Sequence, residues 1–275
     1  MNYFDAVILG IVEGLTEFLP VSSTGHLTIA ERLLGLKVDD PHVTAFTAVI
    51  QMGAIAAVLL YFAKDIGTIA RAWIQGLYKP ELRGSFDHRM GWYVIAGSIP
   101  IGLVGFFGKD VIKGPLRSLW VVAIALIAWS AVMWFAERRT TQARHERDLT
   151  LQDAVIIGLA QCIALVPGVS RSGATMSAGL LRNLDRVTAT RLSFFLSIPA
   201  LTAAGLYELK DALGGGVGLG PTLVGTGVSF VVAYAAVAWL LKFVANHSIV
   251  AFVPYRVLLG LGLLAALGAG WLSAT

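Results

Sequence analysis

Charge is what this chain has least of. Asp, Glu, Lys and Arg make up 14% of its 275 residues, against about 25% in ordinary soluble domains. That is too little to clothe a water-facing surface. With 56% hydrophobic residues and a mean hydropathy of +0.74, the solvent for most of the surface is lipid. Cysteine is nearly absent. Cys162 stands alone inside an apolar segment, which excludes an internal disulfide, leaves the redox compartment unread and fits a packing residue. A concentrated basic stripe is missing too. The formal charge of +4 comes from Lys and Arg scattered between apolar runs, which argues against nucleic acid as a partner and for the loops of a membrane protein. The N-terminus lacks a basic leader and carries Glu13 and Glu17 where a signal peptide would be apolar, so it is expected to be retained.

What the chain does have is long apolar runs. Six of them, at 44–62, 90–108, 118–136, 192–209, 221–243 and 251–273, are long enough to cross about 30 Å of hydrocarbon. Two further segments, 2–36 and 151–184, are broken midway by FLPVSSTGH and LVPGVSRSGAT, and each reads as a helix, a polar turn and a second short helix. These two segments are copies of each other. A shift that carries Asp5-Ala6-Val7-Ile8 onto Asp153-Ala154-Val155-Ile156 also carries Gly10 onto Gly158, Ser22 onto Ser170, Gly25 onto Gly173 and Phe46 onto Phe194, without a gap.

The expected fold is an all-α polytopic membrane protein forming one membrane domain over 1–275, with an inverted-topology repeat, two re-entrant helix hairpins and six transmembrane helices. Residues 1–140 hold the re-entrant hairpin 2–36 and three spans, and residues 150–275 hold the hairpin 151–184 and the other three. If each hairpin enters and leaves on one face, the three spans between them invert the second copy, and the polar turns meet near the midplane. Irregular polar backbone survives there only where it lines a wet or protein-enclosed cavity. Lys64, Arg71, Lys79, Arg83 and Arg89 in 63–89, and Arg138, Arg139, Arg144 and Arg147 in 137–150, assign both connections to the cytoplasm. The first hairpin then opens outward, although Lys109, Lys113 and Arg117 argue the other way. Arg182, Arg186 and Arg191 are expected to face water and anionic headgroups, and Asp5 and Asp153 to compensate helix dipoles. Glycines around 214–220 read as a flexible connection, with too little context for a nucleotide loop.

A charged side chain near the bilayer centre costs about 2.5 to 3.5 kcal/mol, so ionisable residues in the two turns are functional candidates. Glu13 and Glu17, four apart, share one helical face and are candidate ligands for a divalent cation. The plainer reading is two carboxylates satisfied by neighbouring donors or by interfacial water. Ser22, Ser23 and Thr24 precede a helix start; one hydroxyl suffices as an N-cap, and free backbone N–H groups beside the others make a phosphate site. His26, one turn on, is a candidate general acid or base, or else a histidine bonded to a neighbouring helix. The second copy carries Ser170, Arg171, Ser172 and Thr175, with Gln161, Leu165 and Ala174 where the first has Glu13, Glu17 and His26. Arg171 can fork onto phosphate oxygens, or pair with Glu13 or Glu17 across the interface between the copies. Together these groups suit phosphoryl transfer better than acyl transfer, which has no use for so much cationic provision.

The stretches EGLTEFLPVSSTGH at 13–26 and PGVSRSGAT at 167–175 resemble the two signature motifs of the bacterial undecaprenyl-diphosphate phosphatases, the bacitracin-resistance proteins of the inner membrane. The resemblance implies a hydrolase that turns undecaprenyl diphosphate into the monophosphate carrier lipid of peptidoglycan synthesis, with a divalent cation such as Mg or Ca as cofactor. Carried onto the matching positions, it implies catalytic roles for Glu17, Ser23, His26 and Arg171, with Ser23 the nucleophile. It implies phosphate binding by Ser22, Thr24, Ser170, Ser172 and Thr175, and metal binding by Glu13 and Glu17. A late family arginine has a counterpart at Arg256 in FVPYRVLLG, also assigned to phosphate, although an arginine at a span end equally snorkels to the interface. The implied setting is the bacterial inner membrane with the site opening to the periplasm, the bilayer and a polyprenyl diphosphate as partners, and a homodimer left open. The rival reading is a transporter or scramblase for a lipid phosphate or an ion, which would use the inverted-repeat site without bond cleavage. Ser23 and His26 discriminate, because transport requires neither.

Overall fold

The structure is a computed structural model that describes residues 1–38, 40–108, 111–112, 116, 118–213 and 217–273, with backbone alone for 208–213. Most of the basic loop 109–117, with Lys109, Lys113 and Arg117, and residues 214–216 of the glycine-rich connection therefore lie outside the described residues. Among those described there is no strand, only an isolated bridge between Arg144 and Leu184. The helices are α1 (Tyr3–Thr16), α2 (Ser23–Leu33), α3 (Pro41–Tyr61), α4 (Ala63–Tyr78), α5 (Phe86–Phe107), α6 (Leu119–Arg139), α7 (Leu151–Ile163), α8 (Arg171–Leu181), α9 (Arg186–Leu213), α10 (Leu219–Asn246) and α11 (Val253–Gly268).

Among the described residues, six helical stretches are long and apolar enough to cross a membrane: Pro41–Tyr61, Phe86–Phe107, Leu119–Arg139, Arg186–Tyr207, Leu219–Asn246 and Ile249–Gly268. They fall on the six apolar runs within a few residues. By contrast α1 and α7 have 14 and 13 residues, about 20 Å of helix and short of a hydrocarbon core of about 30 Å. The connection 63–89 differs from expectation, because it contains α4. Ile66 and Ile69 of α4 pack on the main core while Ile74, Leu77 and Tyr78 stay exposed. A Cβ at Gly76 would meet His88 Nδ1 at 2.1 Å, so this glycine is what lets α4 lie against α5.

The two broken segments fold alike. Asn2 with Asp5 and Thr150 with Asp153 form capping boxes at the starts of α1 and α7. Ser22 and Ser170, the N-caps of α2 and α8, both sit in the left-handed region, with φ of 78° and 77°. That conformation is strained for a non-glycine residue. The first helix of each segment packs on the far half of the chain. A Cβ at Gly10 would meet the Gly225 carbonyl oxygen at 2.6 Å, and one at Gly158 would meet the Gly97 carbonyl oxygen at 2.1 Å. Glycine at these crossings brings α1 onto α10 and α7 onto α5 at backbone contact.

At the start of α7 a set of ion pairs ties connection 140–150 to the helix ends. Arg144 grips Asp153 through both guanidinium arms at 3.0 and 2.5 Å, and Arg182 Nε donates to the same carboxylate at 2.8 Å. Arg186 pairs with Glu137 at 2.5 Å, and Arg191 with Asp65 at 2.9 Å and Glu146 at 3.2 Å. The expectation that Arg182, Arg186 and Arg191 simply face water and headgroups is thus corrected: each is ion-paired. Asp153 compensates a helix dipole, but it also pairs with two guanidinium groups.

Burial alone would raise the Asp153 carboxyl, but hydrogen bonds from Arg144, Thr150 and Arg182 outweigh it and hold the group well below the usual carboxylate range. A depressed folded-state pKa stabilises the fold above the unfolded pKa, and that stabilisation is lost as pH falls. Asp153→Asn should lower stability by about 2 kcal/mol at neutral pH, the arginines being partly exposed. The gap to the parent chain, read from thermal unfolding in detergent, should be full at about pH 5 and above and should narrow below it.

Candidate active site

The chain between α1 and α2 turns at Pro20, and the one between α7 and α8 turns at Pro167-Gly168. Neither turn can satisfy its backbone polar groups with helical bonds, so each borrows from the other. Gly168 N–H donates to Ser22 Oγ at 3.0 Å, and Ser172 Oγ donates to the Leu19 carbonyl at 2.9 Å. Ser170 Oγ accepts from Gly173 N–H at 3.1 Å, as its role as N-cap requires.

Arg256, in the first turn of α11, closes the joint. Its side chain is wholly enclosed. Nη1 donates to the Pro20 carbonyl at 2.9 Å, and Nη2 to the carbonyls of Gly168 at 2.9 Å and Val169 at 3.1 Å. Weaker contacts run to the Leu126 carbonyl at 3.4 Å and to Ser130 Oγ at 3.2 Å. The guanidinium therefore holds both turns at once and has its donors on protein oxygens.

Beside the joint lies a cavity of about 290 Å³, reached by Glu13, Glu17, Ser22, Ser23, Thr24, Ser170 and Arg171. Ile101, Leu165 and Leu201 give it an apolar wall. Glu17 lines it and is engaged through both carboxylate oxygens. One carboxylate oxygen accepts a short hydrogen bond from Ser23 Oγ, and the other pairs with Arg171 Nη2 at 3.2 Å. Arg171 also donates to the Ser193 carbonyl at 3.2 Å and lies over the Phe18 ring.

Among the described residues, Glu13 and Arg171 each bring to this site buried atoms without a hydrogen-bond partner. Neither carboxylate oxygen of the fully buried Glu13 meets a donor in hydrogen-bonding geometry, and Arg171 Nε is likewise unpartnered. Orphaned buried groups of both signs mark a ligand site. Among the described residues no three His, Cys, Asp or Glu side chains gather as a metal cage. Glu13 and Glu17 line the cavity one helical turn apart, and Glu17 is paired with Arg171. Two carboxylates, with substrate oxygens and water completing the shell, fit a hard cation such as Mg.

Four other candidates face elsewhere. Thr175 Oγ1 bonds Ser193 Oγ at 2.6 Å, Ser172 serves the turn, and Arg256 serves the joint. His26 Nδ1 lies 2.7 Å from the Ser22 carbonyl and Nε2 lies 2.6 Å from the Tyr255 hydroxyl, outside the cavity lining. Conversely, Thr28, Glu31, Thr44, Thr47 and Gln51 line the cavity and were not singled out by sequence. Their spacing carried a signal. Thr24, Thr28 and Glu31, and likewise Thr44, Thr47 and Gln51, recur at helical intervals that align polar groups on one face of α2 and of α3.

Fold and cavity together define a polytopic-type helical protein with a buried, acid-and-arginine site built from two repeated turns. Residues 6–262 match the family described as bacitracin resistance protein BacA. The chain is 58% identical to an undecaprenyl-diphosphatase of Acidothermus cellulolyticus over the full length of both. It is 60% identical to undecaprenyl-diphosphatase 1 of Frankia alni, covering 98% of this chain and 97% of that one. It is 61% identical to undecaprenyl-diphosphatase 1 of Streptomyces coelicolor, covering 96% of each. The chain belongs to the bacitracin resistance protein family.

Replacing Arg256 by Met keeps the volume but orphans the carbonyls of Pro20, Gly168 and Val169. Stability without substrate should fall by about 3 to 5 kcal/mol, seen as a lower thermal midpoint in detergent, and Arg256→Lys should recover only part of it.

Proposed function

We propose that this chain is an undecaprenyl-diphosphatase, hydrolysing undecaprenyl diphosphate to undecaprenyl phosphate and inorganic phosphate. The names of its full-length relatives support the reaction. The observation that carries a mechanism is the double engagement of Glu17, one oxygen on the Ser23 hydroxyl and the other on Arg171.

In this reading Ser23 Oγ attacks the terminal phosphorus and gives its proton to Glu17. The bond from phosphorus to the bridging oxygen breaks, and the lipid monophosphate leaves. Water then cleaves the phosphoserine, releasing phosphate and restoring the hydroxyl, so that one water is consumed in all. Arg171, with its unpartnered Nε, spreads over the equatorial phosphoryl oxygens. Ser22, Thr24 and Ser170 and the exposed N–H groups at the starts of α2 and α8 hold the remaining oxygens. Glu13, whose two oxygens are open, and Glu17 would hold a divalent cation, Mg or Ca, which when bound neutralises diphosphate charge. Ser172, Thr175 and Arg256 support the site from behind. A transporter has no need of a hydroxyl bonded to a buried carboxylate, which favours hydrolysis over the rival reading.

The same reading sets the chain in the bacterial inner membrane as two inverted repeats, 1–140 and 150–275, with 2–36 and 151–184 as re-entrant hairpins and the site open to the periplasm. The short α1 and α7, the matched Ser22 and Ser170 geometry and the reciprocal glycine crossings support it. The apolar wall of Ile101, Leu165 and Leu201 suits the first units of a prenyl tail.

Phosphate release from a short prenyl diphosphate in detergent tests the assignment. Ser23→Ala and Arg171→Ala should each lose about 10³-fold or more in kcat; substantial activity in both variants would overturn it.

A further inference from the structure

Tyr255 precedes the arginine that joins the two turns, and its side chain turns to the opposite partner, His26. Its hydroxyl lies 2.6 Å from Nε2, and its ring stacks on the imidazole with 5.6 Å between centroids and 15° between planes. The other ring nitrogen, Nδ1, lies 2.7 Å from the Ser22 carbonyl oxygen. A carbonyl can only accept, so Nδ1 carries the proton of the neutral ring. Nε2 then has a lone pair and accepts from the Tyr255 O–H. The two partners together select one tautomer and one ring orientation.

What they hold is the strained residue of the first turn. Ser22, at φ 78°, presents its Oγ to Gly168 N–H of the second turn, while its carbonyl is gripped by His26. Ser23, the next residue, directs its hydroxyl at Glu17. Neither His26 nor Tyr255 reaches the cavity, so the pair acts on Ser23 only through the backbone of Ser22.

We infer that Tyr255 is a positioning residue of the phosphate site: it fixes His26 in the Nδ1–H tautomer, and His26 in turn braces Ser22 so that Ser23 faces Glu17. The effect on rate rests on the proposed role of Ser23, whereas the hydrogen bond does not. Tyr255→Phe keeps the ring and the stack and removes only the donor. Phosphate release should fall about tenfold in kcat while KM for a short prenyl diphosphate stays within about twofold, the pattern of a misaligned nucleophile rather than lost binding.

Nitrogen NMR on histidine-labelled protein in detergent gives a readout that a general structural role would not move. The His26 signals are identified among five histidines by their loss in His26→Gln. The native ring should show a protonated Nδ1 and a hydrogen-bonded, unprotonated Nε2, and Tyr255→Phe should shift the Nε2 signal of His26 alone. Fluorotyrosine at 255, a stronger donor with the geometry kept, should shift it the opposite way and serves where the Phe variant does not fold. An Nε2 signal indifferent to both changes overturns the inference, as does an unaltered kcat in a Phe variant whose Nε2 signal has moved. Activity surviving in Ser23→Ala would instead overturn the proposed chemistry and leave the tautomer result standing.

Discussion

The guanidinium of Arg256 is the constraint on which the site depends. Two turns rich in backbone carbonyls and N–H groups meet inside an apolar protein, where each unsatisfied group costs several kcal/mol. Hydroxyls cover some of these groups: Ser22 takes the Gly168 N–H and Ser172 covers the Leu19 carbonyl. Three carbonyls, of Pro20, Gly168 and Val169, converge on one planar cation supplied by the last helix. A lysine presents a point charge and cannot reach all three in a fork. Burying this charge is acceptable only because its donors find oxygens; in exchange the two turns take one relative position.

That position brings corresponding residues of the two copies to one acceptor. Ser23 and Arg171 occupy the same place in the repeat, the first residue of α2 and of α8, and both bond Glu17. Symmetry of backbone is thereby joined to asymmetry of chemistry. One copy contributes a hydroxyl and two acids, the other a cation, and the carboxylate between them belongs to a position that is Leu165 in the second copy.

Much of this was legible in the residues, for identifiable reasons. Hydropathy located the six long helices, because a run of about 20 apolar residues has few other uses. The gapless correspondence of Asp5 with Asp153 and Ser22 with Ser170 exposed the repeated turns, and the pairing of Arg171 with Glu17 was one of two partners foreseen for it. What failed to show depended on directions between helices distant in sequence. Nothing near Arg256 says that its partners are carbonyls, and nothing near His26 says that it looks toward Tyr255. The amphipathic α4 was hidden among basic residues that drew attention to charge rather than to period. Gln51, Thr47 and Thr44 were masked by an otherwise apolar span, although their spacing marked a polar face. The ion pairs of Arg182, Arg186 and Arg191 were unreadable because their acids, Asp153, Glu137, Asp65 and Glu146, lie on elements distant in sequence.

The glycine crossings bear on how such a chain comes together as it is made. Gly10 and Gly14 of α1 need the backbone of Gly225 and Ser229, so α1 finds this neighbour only after α10 has been made. Until then the first turn has no second turn to donate Gly168 N–H, and no Arg256 to hold Pro20. The acidic half of the candidate site must wait, incomplete, for the later helices to arrive. A nascent chain that ends between α8 and α11 therefore carries both signature motifs but lacks the arginine that joins their turns.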